Sequence, residues 1–135
     1  MAHGEPILNR MTRETADALQ EHIKNAGGNE VFCAGLPDET GMLTSVRVLA
    51  RGHAEAVPAL FAALALREVV LHNHPSGNLE PSDADLELAS IYSAHGHGVY
   101  IVNNETTAVY VVVEPFLPKK QEHLDTRELA RAFAE

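Results

Sequence analysis

The sequence predicts a single α+β domain in which helices flank a central mixed, mostly antiparallel sheet. Its 135 residues are enough for one hydrophobic core of ordinary size. Hydrophobic residues make up 45% and charged residues 21% of the chain, so a folded globular domain is expected rather than disorder. Segments of helical periodicity and short apolar runs follow one another in the order α-β-β-α-β-α-β-β, which favours helices packed on a sheet.

The first half of the chain predicts a helix, a hairpin and a second helix after a flexible lead over residues 1–11. Thr12 is a suitable N-cap for the first helix, and Gly27 follows its end. Residues 37–41 combine Pro, Asp and Gly, which is typical of a turn between two strands. Pro58 is tolerated because it falls in the first turn of the second helix. The predicted elements are a helix over 12–26, strands over 30–36 and 42–50, and a helix over 54–66.

The second half predicts three strands around one helix. Residues 73–81 are rich in Pro, Gly and Asn and cannot form a regular element, and Gly96 and Gly98 end the helix that follows. The predicted elements are a strand over 68–72, a helix over 82–94, and strands over 99–103 and 107–114. Pro115 and Pro118 then break the pattern. Residues 115–135 are expected to be a polar linker ending in a short helix, which fits a connection to a further domain of a longer protein.

The charge balance and the apolar pattern exclude several classes of protein. The formal net charge of −9 repels phosphate backbones, so direct nucleic-acid binding by this domain is not expected. The most apolar stretch, 54–71, is interrupted by Pro and charged residues and is too broken to span a membrane. The N-terminus has no apolar segment typical of a signal peptide. Cys33 is the only cysteine, which precludes an internal disulfide, and we expect a cytoplasmic protein.

Two histidines, a serine and an aspartate stand close together between residues 72 and 85. His72 ends a predicted strand, and side chains two residues apart on a strand share a face, so His74 joins it if the chain stays extended. Pro75 favours the extended path because proline disfavours helical geometry in the residue before it. Ser82 and Asp85 are three residues apart and share one face of the next helix. Two imidazoles and a carboxylate suit zinc, with iron and manganese left open.

The Ser82-x-x-Asp85 pair also has a purely structural interpretation. A serine followed three residues later by an acidic residue is typical of a helix N-terminus, where the two side chains bind backbone N–H groups. The two interpretations are compatible, because a cap that fixes the first helical turn also positions Asp85 as a ligand.

The sequence His72-x-His74-Pro, followed by Ser82-x-x-Asp85, resembles the JAMM motif of the MPN/JAB metalloprotease superfamily. The run HNHPSG is especially similar to the RadC-like branch. The resemblance covers residues 12–114 and implies a single MPN/JAB-like domain with layering similar to that of cytidine deaminases. It also implies one Zn²⁺ per chain held by His72, His74 and Asp85. Ser82 would stabilise the oxyanion, and a glutamate on an earlier strand would be the general base.

Glu30 is the glutamate that best matches the general base of the superfamily, since it opens the first predicted strand. Glu68 is the main rival because it shares strand parity with His72. Four strand residues span ~13 Å, however, which is too far for a base that contacts water beside the metal. Glu39 in a turn and Glu55 on a helix are expected to be solvated.

Two further candidates have simpler interpretations. The second His-x-His pair, His95 and His97, lies between glycines with no acidic residue nearby, and a surface turn is expected there. Cys33 has opposite strand parity to Glu30, and a buried structural cysteine is a better interpretation than a nucleophile.

The resemblance implies a zinc-dependent metallopeptidase or isopeptidase that acts on a protein or peptide, including the tail of a ubiquitin-like protein. The alternative is a protein-interaction or regulatory JAB module, with little or no hydrolytic activity, within a larger DNA-repair or helicase-type protein. The segment between His74 and Ser82 has no insertion that would grip a ubiquitin chain. A homodimer is compatible with the sequence.

Overall fold

Six strands and two α-helices occupy the residues that the computed structural model describes, which are 4–51 and 64–116. The strands are β1 (Glu5–Pro6), β2 (Val31–Pro37), β3 (Leu43–Arg51), β4 (Val69–His74), β5 (Gly98–Asn103) and β6 (Ala108–Val113). The helices are α1 (Arg13–Asn25) and α2 (Asp83–Ser93), with a 3-10 turn over Ile7–Asn9.

The strands form one mixed sheet in the order β1-β6-β5-β4-β2-β3. Only the central pair β4 and β5 is parallel, and the other four pairs are antiparallel. The predicted α+β class and the mixed, mostly antiparallel sheet are therefore confirmed. The single parallel pair lies at the centre, where β4 hydrogen-bonds a neighbour on each side.

Helix α1 covers one face of the sheet. Thr12 caps it as predicted, because its hydroxyl accepts a hydrogen bond from the Thr15 N–H at 3.2 Å. Apolar side chains at helical spacing pack against alternate residues of the strands, which point to this face. The main members of this core are Ala16, Leu19, Ile23, Val31, Cys33, Leu43, Val69, Leu71, Tyr100 and Val102.

Helix α2 covers the opposite face. Its apolar residues pack against the other set of alternating strand residues, and this second core consists of Phe32, Val70, Leu88, Ala89, Tyr92 and Val99. His72 has the same strand parity as Val70 and therefore faces α2. The first turn of α2 and the end of β4 thus lie on one side of the sheet.

Residues 5–11 belong to the fold, although the sequence predicts a flexible lead there. Glu5 pairs with Val109 at the edge of the sheet, and the Ile7 N–H donates to the Thr107 carbonyl at 3.0 Å. Ile7 and Met11 are buried in the core beneath α1. The lead-in prediction fails because these contacts join residues about a hundred positions apart, which local composition does not reveal.

Two predicted elements lie largely or wholly outside the described residues. The helix expected over 54–66 falls mostly on 52–63, and residues 64–66 are not helical. The linker and helix expected over 115–135 fall mostly on 117–135. Among the residues described, no helix is both long and apolar enough to cross a membrane.

Glu68, just before β4, contacts three separate segments of the chain. Its buried carboxylate accepts from Arg47 Nη2 at 2.6 Å and from the Ala65 N–H at 2.7 Å. Its carbonyl accepts from Nδ1 of His97 at 3.1 Å. His97 is therefore buried rather than part of the expected surface turn, whereas His95 is exposed. The prediction for His97 is wrong because this residue directly precedes β5, which begins at Gly98, and the adjoining buried strand places it in the interior.

We expect Glu68→Ala to lower the free energy of unfolding by about 2 kcal/mol, because the variant leaves the Ala65 N–H and the Arg47 guanidinium without their buried acceptor. The partial exposure of Arg47 keeps the loss below that of a fully buried ion pair. Urea denaturation measures the effect. Glu39→Ala, at an exposed turn position, is the control and is expected to change stability by less than about 0.5 kcal/mol. Equal effects in both variants would contradict the structural role of Glu68.

Candidate metal centre

The two motif histidines lie at the end of β4 on the face covered by α2. The backbone remains in strand conformation through His74, so the alternation of side chains brings both rings to one side. His72 is fully buried, and the Phe32 ring from β2 stacks on it with centroids 5.0 Å apart and an interplanar angle of 18°. This stacking fixes the orientation of the His72 ring.

The first turn of α2 aims Asp85 at these rings. The Ser82 hydroxyl accepts from the Asp85 N–H at 3.1 Å, and the Asp85 carboxylate accepts from the Ser82 N–H at 2.9 Å. This reciprocal capping box satisfies two backbone donors at the helix start. The cap predicted from the sequence is confirmed, and it holds the carboxylate on the sheet side of the helix.

The three side chains converge on one point. Asp85 Oδ1 lies 2.9 Å from His72 Nε2, and Asp85 Oδ2 lies 3.0 Å from His74 Nε2. Neither nitrogen of the buried His72 ring has a hydrogen-bond partner among the residues described. Tetrahedral zinc with bonds of 2.0–2.1 Å separates its ligand atoms by about 3.3 Å, which is close to the spacing found here.

The hydrogen bond on the far side of His74 indicates which nitrogen would bind a metal. Nδ1 donates to the Asn78 carbonyl at 2.7 Å, so a neutral ring has its lone pair on Nε2. That lone pair faces the Asp85 carboxylate, and two acceptors are stable at 3.0 Å only with positive charge between them. A second proton or a metal ion would supply that charge, and the chemistry of the donor set fits a divalent cation.

The electrostatics of Asp85 suit a ligand. Burial raises the pKa of this carboxyl group, but the contact with His72 and the hydrogen bond from the Ser82 N–H outweigh burial. The net result is a pKa well below the usual range for aspartate. The carboxylate is therefore charged at neutral pH and does not have to lose a proton before it binds a cation.

Glu30 lies at the same site, just before β2. The antiparallel register pairs Phe32 with His72, so Glu30, two residues earlier, comes to the same face beside the histidines. Glu30 Oε2 is 4.0 Å from His72 Nε2, and the side chain is 24% exposed. One potential ligand atom from each of Glu30, His72 and His74 lies within 4.8 Å of the others. The structure thus brings together Glu30 and all four motif residues.

The rival candidates lie elsewhere. Glu68 is engaged by Arg47 before the start of β4. Cys33 faces the α1 core, where burial raises the pKa of its thiol to about 12, so it is a protonated thiol at neutral pH. Asn73, which the sequence pattern did not indicate as a site residue, lies between the two histidines along β4, and its buried side chain binds the backbone on both sides of Glu30. An amide in the middle of a metal-binding motif on a buried strand is the signal that could have indicated it.

A family model and a solved structure match the chain. A family model described as the RadC-like JAB domain matches residues 9–102, well over half of the chain. Among solved structures, the chain is similar to a JAB1/MPN domain protein from Archaeoglobus fulgidus, with 19% identity and a TM-score of 0.49. That match covers 81% of this chain and 99% of the other. No curated protein matches the chain. On the strength of the family model, the chain belongs to the RadC-like JAB domain family.

Proposed function

We propose that this domain is a zinc-dependent metallopeptidase or isopeptidase, with one Zn²⁺ per chain held by His72, His74 and Asp85. The observation that carries the proposal is the convergence of both Nε2 atoms on the two oxygens of one buried carboxylate, at 2.9 and 3.0 Å. Three protein ligands with an open fourth position are typical of catalytic rather than structural zinc. When bound there, zinc would supply Lewis acidity, which would polarise a scissile carbonyl and activate a water molecule.

Glu30 is proposed as the general base rather than as a ligand. Its carboxylate is 4.0 Å from His72 Nε2, farther than Asp85, and it is partly exposed where a water molecule can reach it. In the hydrolysis, Glu30 accepts a proton from the attacking water and delivers it to the leaving amine nitrogen as the C–N bond breaks. Asp85 is less suited to this role because the helix cap already occupies it.

Ser82 is proposed to donate a hydrogen bond to the oxyanion. Its oxygen accepts from the Asp85 N–H through a lone pair, which leaves the O–H free to point outward. The residue is exposed at the first turn of α2, beside the ligand Asp85. A donor held by a helix cap is preorganised, which is the property that makes oxyanion stabilisation effective.

The substrate is proposed to be a protein or peptide, and the extended tail of a ubiquitin-like protein is one candidate. Residues 75–78, which border the histidines, are exposed, and the side chains of Glu30 and His74 are themselves partly exposed, so a substrate can reach them. The net charge of −9 disfavours a nucleic-acid substrate. The short segment between His74 and Ser82 disfavours tight binding of a particular ubiquitin linkage.

We expect His72→Ala and Asp85→Ala to lose zinc, because each removes a ligand, whereas Glu30→Gln keeps about one zinc per chain. Glu30→Gln is expected to lower kcat by at least about a hundredfold, since an amide cannot accept the proton. Metal analysis after dialysis gives the zinc content. Cleavage of unstructured peptides and of linear and branched ubiquitin-like fusions gives the turnover.

His95→Ala is the matched control for these variants. It removes an exposed histidine outside the cluster and is expected to leave zinc content and turnover unchanged. Loss of zinc in Glu30→Gln would show that Glu30 is a ligand. Wild-type turnover in that variant would show that Glu30 is not the general base. A zinc-loaded wild type that cleaves no substrate would favour the alternative, a protein-interaction module.

We expect Ser82→Gly to lower kcat by about a hundredfold, because the oxyanion donor is lost. Glycine is tolerated at an N-cap, so the free energy of unfolding should fall by only a few tenths of a kcal/mol. Ser82→Thr retains both the cap and the hydroxyl and serves as the control with near-wild-type turnover. Equal turnover in the glycine and threonine variants would show that Ser82 only caps the helix.

A further inference from the structure

We propose that Asn73 is a positioning residue for Glu30. This inference rests on the proposed role of Glu30 as the general base. Asn73 lies between the two histidines of the motif, but strand alternation points its side chain to the opposite face of the sheet. It is almost fully buried there, although its chemistry is polar.

The side-chain amide of Asn73 binds both peptide groups that flank Glu30. Its Oδ1 accepts from the Val31 N–H at 2.8 Å, and its Nδ2 donates to the Asn29 carbonyl at 3.1 Å. The Asn29 carbonyl belongs to the peptide unit before Glu30, and the Val31 N–H belongs to the unit after it. One side chain therefore restrains both backbone dihedral angles of Glu30 and the direction of its Cα–Cβ bond.

A second asparagine completes the network. The second hydrogen of Asn73 Nδ2 is donated to Asn104 Oδ1 at 2.7 Å, and Asn104 Nδ2 donates to the Gly28 carbonyl at 2.9 Å. Carbonyls only accept and N–H groups only donate, so the orientation of both amides is fixed by their partners. The segment 28–31 is thereby attached to β4 and to the turn after β5 at Gly28, Asn29 and Val31, on both sides of Glu30.

This attachment takes over where the backbone ladder ends. The pairing of β2 with β4 runs from Gly35–Val69 to Phe32–His72, and Glu30 lies beyond it. The Asn73 amide therefore attaches the segment around Glu30 to β4 just beyond the point where the backbone pairing of the two strands ends. Burial strengthens these bonds, because water competes poorly for them in a low-dielectric interior.

The consequence is that β4 fixes the ligands and the base relative to each other. His72 and His74 project from one face of the strand. On the other face, Asn73 fixes the backbone from which the Glu30 side chain projects. A shift of about 1 Å in a reacting group can cost about a hundredfold in rate, so this backbone restraint is expected to matter for turnover.

Amide hydrogen exchange tests the restraint without any turnover. In the metal-free protein, Asn73→Ala is expected to accelerate exchange at the Val31 amide by about tenfold relative to the Leu71 amide, because the acceptor is lost. Asn103→Ala is the matched control. Asn103 accepts from the Thr107 and Ala108 N–H groups, so its loss should accelerate exchange there and not at Val31.

Kinetics and zinc binding test the link to Glu30. Asn73→Ala is expected to lower kcat/KM by about 10- to 100-fold while zinc affinity changes by less than about threefold. In the Glu30→Gln background the same substitution should cost less than about threefold, because the base it positions is already absent. Asn104→Ala, at a less buried position, should act in the same direction with a smaller effect, and it replaces Asn73→Ala if that variant does not fold.

The possible outcomes separate this inference from the proposed function. Unchanged Val31 exchange in Asn73→Ala, or an undiminished kinetic loss in the Glu30→Gln background, would overturn the positioning role. A wild type that binds zinc but hydrolyses nothing would instead overturn the proposed function. In that case the Val31 exchange alone decides whether Asn73 restrains the backbone of Glu30.

Discussion

The buried carboxylate of Asp85, shared between two imidazoles, is the interaction on which the rest of the site depends. Burying a carboxylate is costly unless hydrogen bonds and opposite charge compensate for it. The Ser82 N–H provides one hydrogen bond, and the two histidines provide the remaining polar surroundings. Since a neutral His74 presents a lone pair rather than a proton to this carboxylate, either a second proton on the ring or a metal ion between the two groups would stabilise the contact. The helix cap at the start of α2 holds Asp85 in place, and the end of β4 holds the two histidines opposite it.

Strand β4 organises the site from three separate segments of the chain. Its central place in the sheet makes its backbone rigid, because β5 and β2 pair with it on both sides. On the α2 face it carries His72 and His74, and on the α1 face Asn73 restrains the segment around Glu30. Glu68, just before the strand, joins it to β3 through Arg47. The proposed ligands, the proposed positioning amide and the structural ion pair therefore follow one another within seven consecutive residues.

Local rules predicted much of the fold and most of the candidate site. Strand alternation placed His72 and His74 on one face, and the capping pattern placed Asp85 at the first turn of α2, because both depend only on neighbouring residues. Glu30 came from resemblance to a family, since no local pattern joins it to a strand forty residues later. The strand at Glu5–Pro6 and the burial of His97 were missed for the same reason. Each depends on pairing between distant segments, which short-range periodicity does not encode.

Zinc is proposed to bind between His72, His74 and Asp85, with Glu30 outside the coordination sphere. An anomalous difference map at the zinc absorption edge, from crystals grown with one equivalent of zinc, tests it most directly. We expect one strong peak about 2.0–2.1 Å from both Nε2 atoms and from an oxygen of Asp85, with no Glu30 oxygen at bonding distance. A peak bonded to Glu30 in place of Asp85, or a peak only at another group such as His95, would contradict the claim.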